Sequence, residues 1–103
     1  MLEEMQGVAF QIIAIVGTAK SMYIEAIQLA KKGDIEEAKA LIKEGEELFS
    51  TAHTHHFGIV QKEASGEQVP FSVMFMHAED QLLNTETIKI MADEMVELYE
   101  KLK

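Results

Sequence analysis

The feature that most constrains the fold is the apolar spacing between residues 8 and 30. Val8, Ile12, Ile15, Ala19, Met22, Ala26 and Leu29 recur at intervals of four and three, the rhythm of a helix that packs along its length. A second row, Ala9, Ile13, Val16, Tyr23, Ile27 and Ala30, runs beside the first. The two rows make a face too broad for one neighbouring helix, so this helix is expected to touch several partners.

The punctuation that follows sets the next elements. Lys31 and Lys32 suit the negative end of the first helix, Gly33 can adopt the left-handed conformation that closes it, and Asp34 can cap a second one. Glu37, three residues on, completes a capping-box-like start, after which Ala38, Leu41, Ile42 and Leu48 carry the helical period towards Val60. Ser65-Gly66-Glu67-Gln68-Val69-Pro70 gathers turn formers and the only proline, and reads as the second loop. From Phe71 or Ser72, the residues Val73, Met74, Phe75, Met76, Leu82, Leu83, Ile88, Met91, Met95, Leu98 and Leu102 sustain a third helix to the end. No strand pattern competes. The fold class is therefore all-α, an antiparallel three-helix up-down-up bundle forming a single domain over residues 1–103. The seven methionines fall at helical spacing and are expected to fill gaps in its core.

Size and charge narrow the functions. A chain of 103 residues buries only a modest core alone, so association is expected. A formal charge of −9 repels nucleic-acid phosphates and anionic membrane surfaces, which disfavours a nucleic-acid role. The same field would steer a basic protein partner in. Without cysteine there is no disulfide scaffold, thiolate zinc site or cysteine nucleophile. Glu3 and Glu4 stand where a secretory signal carries positive charge, and no apolar run is judged to approach membrane-spanning length. The expectation is a cytoplasmic chain with no membrane insertion.

Four histidines are the side chains whose ordinary titration lies near neutrality. His77 follows the apolar run Val73 to Met76 and lies one helical turn before Asp80. A neutral imidazole fixed on a helix can attack a phosphoryl group in line, although on spacing alone a half-buried core histidine is the plainer reading. Asp80 lies four residues after Met76 and three before Leu83, so a carboxylate occupies a place where the pattern asks for an apolar residue. Buried alone it would be costly, but in a threefold assembly three such carboxylates would converge on one axis and suit a cation. A solvated position at the edge of the seam is the competing reading. His53, His55 and His56 contain a His-x-x-His pair one turn apart, with Glu63 the nearest downstream acid. Two imidazoles make a weak metal site, and a surface cluster is the plainer reading.

Three blocks together resemble the lactose/cellobiose-specific IIA family of the sugar phosphotransferase system. They are Gly33-Asp34-Ile35-Glu36-Glu37-Ala38, Ala52-His53 and, most specific, His77-Ala78-Glu79-Asp80-Gln81-Leu82-Leu83 after Val73-Met74-Phe75-Met76. The closing Glu97-Leu98-Tyr99-Glu100-Lys101-Leu102-Lys103 is similar to the family's last helix. The resemblance implies a phosphocarrier in which His77 accepts a phosphoryl group from HPr and passes it to the cysteine of the IIB component during sugar uptake. It implies also a homotrimer in whose core Asp80 binds a divalent cation such as Mg²⁺. The chain departs from the family pattern at Glu79, where Gln is usual, at Gln81, where His is usual, and at His56-Phe57, where Gln-Thr is usual. Apart from the resemblance, the residues leave open a non-catalytic helical interaction module and a metal-binding protein centred on His53 and His56.

Overall fold

The computed structural model describes residues 1–103. Three helices of equal length follow one another, α1 (Leu2–Lys31), α2 (Ile35–Ala64) and α3 (Val73–Leu102), with no strand between them. Each has 30 residues, about 45 Å of helix at 1.5 Å per residue, which accounts for a rod of 53 × 20 × 17 Å. The expected up-down-up layout is present. Met5 at the start of α1 shares a cleft with Ile59 near the end of α2 and Phe75 at the start of α3.

The turns follow from their residues. Gly33 closes α1 at φ +92°, and Gly66 turns the second loop at φ +101°. Ser72 caps α3, its hydroxyl accepting from the Phe75 N–H at 3.2 Å. The expected capping box at α2 does not form. Asp34 occupies the N-cap position, but its side chain accepts no cap hydrogen bond. Glu36 and Glu37 in the first turn still favour the positive end of the helix.

α1 is the central element, and both of its apolar rows are used. Met5, Ala9, Ile12, Val16, Ala19, Tyr23, Ala26 and Ala30 are buried, while Val8, Ile13, Ile15, Ile27 and Leu29 pack partly buried against the same core. One expectation is corrected at this helix, because α1 does contain an 18-residue stretch long and apolar enough to cross a bilayer. The reason for that apolarity is its central position, since a helix flanked on two sides needs two apolar rows.

The interior of α3 also differs from the expectation. Its buried residues are Phe75, Ala78, Leu82, Thr85, Ala92 and Val96, with Lys89 half-buried in the same row. Met76, Leu83 and Ile90, 52, 62 and 56% exposed, form a second apolar row that faces outward, joined by Val73. Val73, Met91, Met95, Leu98 and Leu102 lie outside the core as well. Of the seven methionines only Met5 is buried, and Met1, Met76, Met91 and Met95 are exposed. The buried row of α3 mixes Phe75, Leu82 and Val96 with the small Ala78, Thr85 and Ala92, and the helix's methionines fall outside that row.

Tyr23 shows how tight that interior is. A Cβ added at Gly45 would lie 2.8 Å from Tyr23 Cε1, so only glycine lets α2 cross the ring at this point. The Tyr23 hydroxyl is buried with no hydrogen-bond partner. Burial, reinforced by the charges of Glu46 and Asp93, pushes its pKa up to about 12. The folded protein therefore holds this proton where the unfolded chain, with a pKa near 10.0, releases it. Stability from this group is complete below pH 10 and is lost as pH rises towards 12, by roughly 1.4 kcal/mol per pH unit. Tyr23→Phe should flatten that part of the denaturation curve and leave stability near neutrality unchanged or slightly raised, because it removes an unpaired buried hydroxyl. Urea midpoints measured from pH 8 to 12 for both proteins check this, and parallel curves would refute it.

Candidate functional site

The site is built on the first two turns of α3 and the facing stretch of α2. His77 sits in the second turn of α3 and is exposed. No side-chain hydrogen bond or ion pair of the protein engages its ring. The packed core histidine considered from spacing is thus excluded. Ala78 beside it is fully buried, so the backbone that carries His77 is fixed against α1 and α2 while its ring faces solvent.

Asp80, one turn further, is exposed too. It stands in the outward row between Met76 and Leu83, so within one chain its charge is solvated and no burial cost arises. It lines a shallow cleft with His56, Met76, Glu79, Leu82 and Leu83.

The three α2 histidines do not converge. His53 Nε2 lies 3.8 Å from Glu86 Oε2 and its ring meets Phe49 edge-on, with centroids 5.1 Å apart. His56 Nε2 lies 2.7 Å from Glu79 Oε2, and its ring stacks on Phe75 at 5.8 Å with an interplanar angle of 19°. His53 and His56 meet different acids on α3, and no three His, Asp or Glu side chains gather where they could hold a metal ion. The His53/His56 metal-centre reading is corrected accordingly.

These contacts belong to a polar seam that spacing within a single helix did not reveal. Lys39 meets Glu100 at 3.0 Å, Glu46 meets Lys89 at 3.5 Å, His53 meets Glu86 and His56 meets Glu79. As the α2 number rises the α3 number falls, the register of antiparallel neighbours. Complementary charge along α2 read forwards and α3 read backwards is the signal that would have found it. Hydrogen bonds to Asp93 and Glu100 hold the Lys89 and Lys39 ammonium groups above their ordinary pKa values. Half-exposed pairs of this kind contribute register more than stability.

What the arrangement offers is one unencumbered imidazole on a rigid helix, with Asp80 one turn away and no enclosed substrate cavity beside it. That suits transfer between proteins better than chemistry on a buried small molecule. Comparisons with known proteins agree. Residues 7–100 match the family described as PTS system, Lactose/Cellobiose specific IIA subunit. The chain is 43% identical to the lichenan-specific phosphotransferase enzyme IIA component of Bacillus subtilis, over 99% of this chain and 93% of that protein. Its structure is similar to that of the PTS cellobiose-specific enzyme IIA from Bacillus anthracis, with a TM-score of 0.90 and 38% identity over 93% of this chain and 88% of that one. It is similar as well to a chain of the IIA(Chitobiose)–HPr complex of the Escherichia coli phosphotransferase system, with a TM-score of 0.78 and 26% identity over 95% of both chains. An exposed histidine on a fixed helix, a three-helix frame and a match across nearly the whole length converge on one conclusion: this chain belongs to the lactose/cellobiose-specific IIA subunit family of the phosphotransferase system.

Proposed function

We propose that His77 is the phosphoryl carrier of this IIA subunit, taking the group from phospho-HPr and giving it to the cysteine of a IIB component in the cytoplasm during sugar uptake. The observation that carries this reading is the free, exposed ring of His77 on a backbone fixed by buried Ala78. The occurrence of a similar fold in complex with HPr supports the donor.

The chemistry asks little of the protein beyond placement. A nitrogen lone pair of neutral His77 attacks phosphorus, the new N–P bond forms as the bond to the donor breaks, and the donor leaves with the electron pair. The same steps in reverse order of partners load the IIB thiolate. Fixing the imidazole on α3 removes the entropy of bringing a nucleophile into line. Non-catalytic docking does not explain a free histidine at the position that the family resemblance gives to the phosphoacceptor.

The outward row Val73, Met76, Leu83 and Ile90 supports a homotrimer of the single 1–103 domain, because four large apolar side chains left exposed along one side of α3 call for cover. Asp80 lies in that row, so three copies would bring three carboxylates together. One chain supplies a single hard oxygen donor there and no multi-ligand site, which fits Mg²⁺ only in an assembly. The ion's contribution would be to neutralise Asp80 and its symmetry mates at the axis.

The reading is tested by the second half of the relay. The chain, labelled by phosphoenolpyruvate, enzyme I and HPr and then freed of them, should lose its label to an added IIB component with an intact cysteine, and keep it when that cysteine is replaced. Retention in both cases would refute the carrier role.

A further inference from the structure

We propose that His56 is a positioning residue for phosphoryl transfer, holding the Glu79 carboxylate against α2 and so keeping its negative charge away from the group carried by His77. The inference rests on the assignment of His77 as phosphoacceptor. It concerns a different pair of side chains.

Glu79 follows His77 by two residues on α3. At 100° per residue the two side chains leave the helix about 200° apart, with a rise of about 3 Å between them. Left to itself, a glutamate has three rotatable bonds and seeks solvent, and its carboxylate can swing round the helix towards the His77 side. In this protein it does not. Glu79 Oε2 is 2.7 Å from His56 Nε2, a hydrogen-bond distance. The anchor is itself fixed, since the His56 side chain is only 22% exposed and its ring is stacked on Phe75, which is buried. Among the residues that line the cleft beside Asp80, His56 is the only one whose side chain can donate from nitrogen, and Glu79 and Asp80 are the two acids.

The electrostatic stake follows from what His77 would carry. A phosphoryl group brings close to two negative charges, and Asp80 already places one carboxylate a turn away on the same side of α3. If the freed carboxylate came about 4 Å nearer the phosphoryl oxygens, for instance from about 10 Å to about 6 Å, the added repulsion in water would slow transfer roughly twofold to fourfold at low salt. The effect is screened when the Debye length falls below that separation.

The test compares single-turnover transfer from phospho-HPr to the native chain, His56→Phe, Glu79→Gln and the double variant. His56→Phe keeps the stack on Phe75 and lacks the donor. Rates are read at about 0.01 M and about 1 M salt, where the Debye length is about 30 Å and about 3 Å. His56→Phe should be slowed roughly twofold to fourfold relative to the native chain at low salt and match it at high salt. Glu79→Gln should be at least as fast as the native chain at low salt, and adding Glu79→Gln to His56→Phe should raise its rate to the native value or above. His56→Gln, which retains a donor, should behave as native, and it carries the comparison with the double variant His56→Gln/Glu79→Gln should the phenylalanine variants fail to fold, with a slow His56→Gln then contradicting the proposal. A His56→Phe rate equal to native at low salt, a slowing that survives high salt, or a double variant as slow as His56→Phe would each overturn it. Failure of the native chain to label at all would instead remove the His77 assignment, and this proposal with it.

Discussion

His77→Ala should abolish phosphorylation by phosphoenolpyruvate, enzyme I and HPr, a loss limited only by the background of the assay. Removing the attacking atom leaves no path for the N–P bond, and no neighbouring side chain can take its place. His56 is held at Glu79 and stacked on Phe75, and His53 is drawn to Glu86. His53→Ala, His55→Ala and His56→Ala should accordingly still accept the label, with His56→Ala altering the rate and not the site. The substitution should leave folding intact, because His77 is exposed and makes no hydrogen bond or ion pair with the rest of the chain. Circular dichroism melts of the variant should overlay the native curve, so that lost labelling cannot be ascribed to unfolding. Equal labelling of His77→Ala would contradict the assignment outright.

The second large effect concerns Asp80 and the outward row of α3. If three copies cover Met76, Leu83 and Ile90, then three Asp80 carboxylates are brought from solvent to one axis, where they repel each other. A bound divalent cation offsets that repulsion, and because it binds the assembly and not the unfolded chain it stabilises by mass action. The gain is about 2.7 kcal/mol when the ion stands at a hundred times its dissociation constant. Chelation should therefore lower the melting temperature of the native protein by several degrees and loosen the trimer seen by light scattering. Asp80→Leu should remove the sensitivity to chelator. It continues the apolar row between Met76 and Leu83, and replacing a converging charge by an apolar group is often neutral or stabilising, so the trimer should persist. Identical responses of both proteins to chelator, both remaining trimeric, would show that Asp80 is no metal ligand. A stable monomer at micromolar concentration would contradict the assembly itself.

The parts of the fold that were legible in the sequence are those encoded locally. Gly33 and Gly66 take the positive φ angles that their turns need, Ser72 caps α3, and both rows of α1 meet core. What misled was α3, which carries two apolar rows. The apolar spacing runs through both, Phe75 and Leu82 in one and Met76 and Leu83 in the other, and the chain leaves the second outside. The row that packs within the chain interleaves Phe75, Leu82 and Val96 with Ala78, Thr85, Lys89 and Ala92, and the latter four weaken its apolar signal. Asp80 lies in that outer row, so of the two readings its spacing allows, the solvated position holds within the single chain.

The candidate site was legible unequally. The role of His77 is legible only through the resemblance of its motif, since spacing alone favours a core histidine. Its free and exposed ring became evident only in the structure. Glu79, a departure from the family pattern two residues after His77, puts a negative charge near a phosphoryl group that His77 would carry, and what answers it is a contact from another helix 23 residues away in the chain. No periodicity within α3 reports on that contact. The polar seam between α2 and α3 does.

The central claim is that this chain carries one phosphoryl group on histidine, and intact mass measurement of the native protein tests it most directly. After incubation with phosphoenolpyruvate, enzyme I and HPr, each chain should gain the mass of one phosphoryl group, and brief acid treatment should remove it, as it does for an N–P bond. An unchanged mass, or a gain that survives acid, would contradict the account.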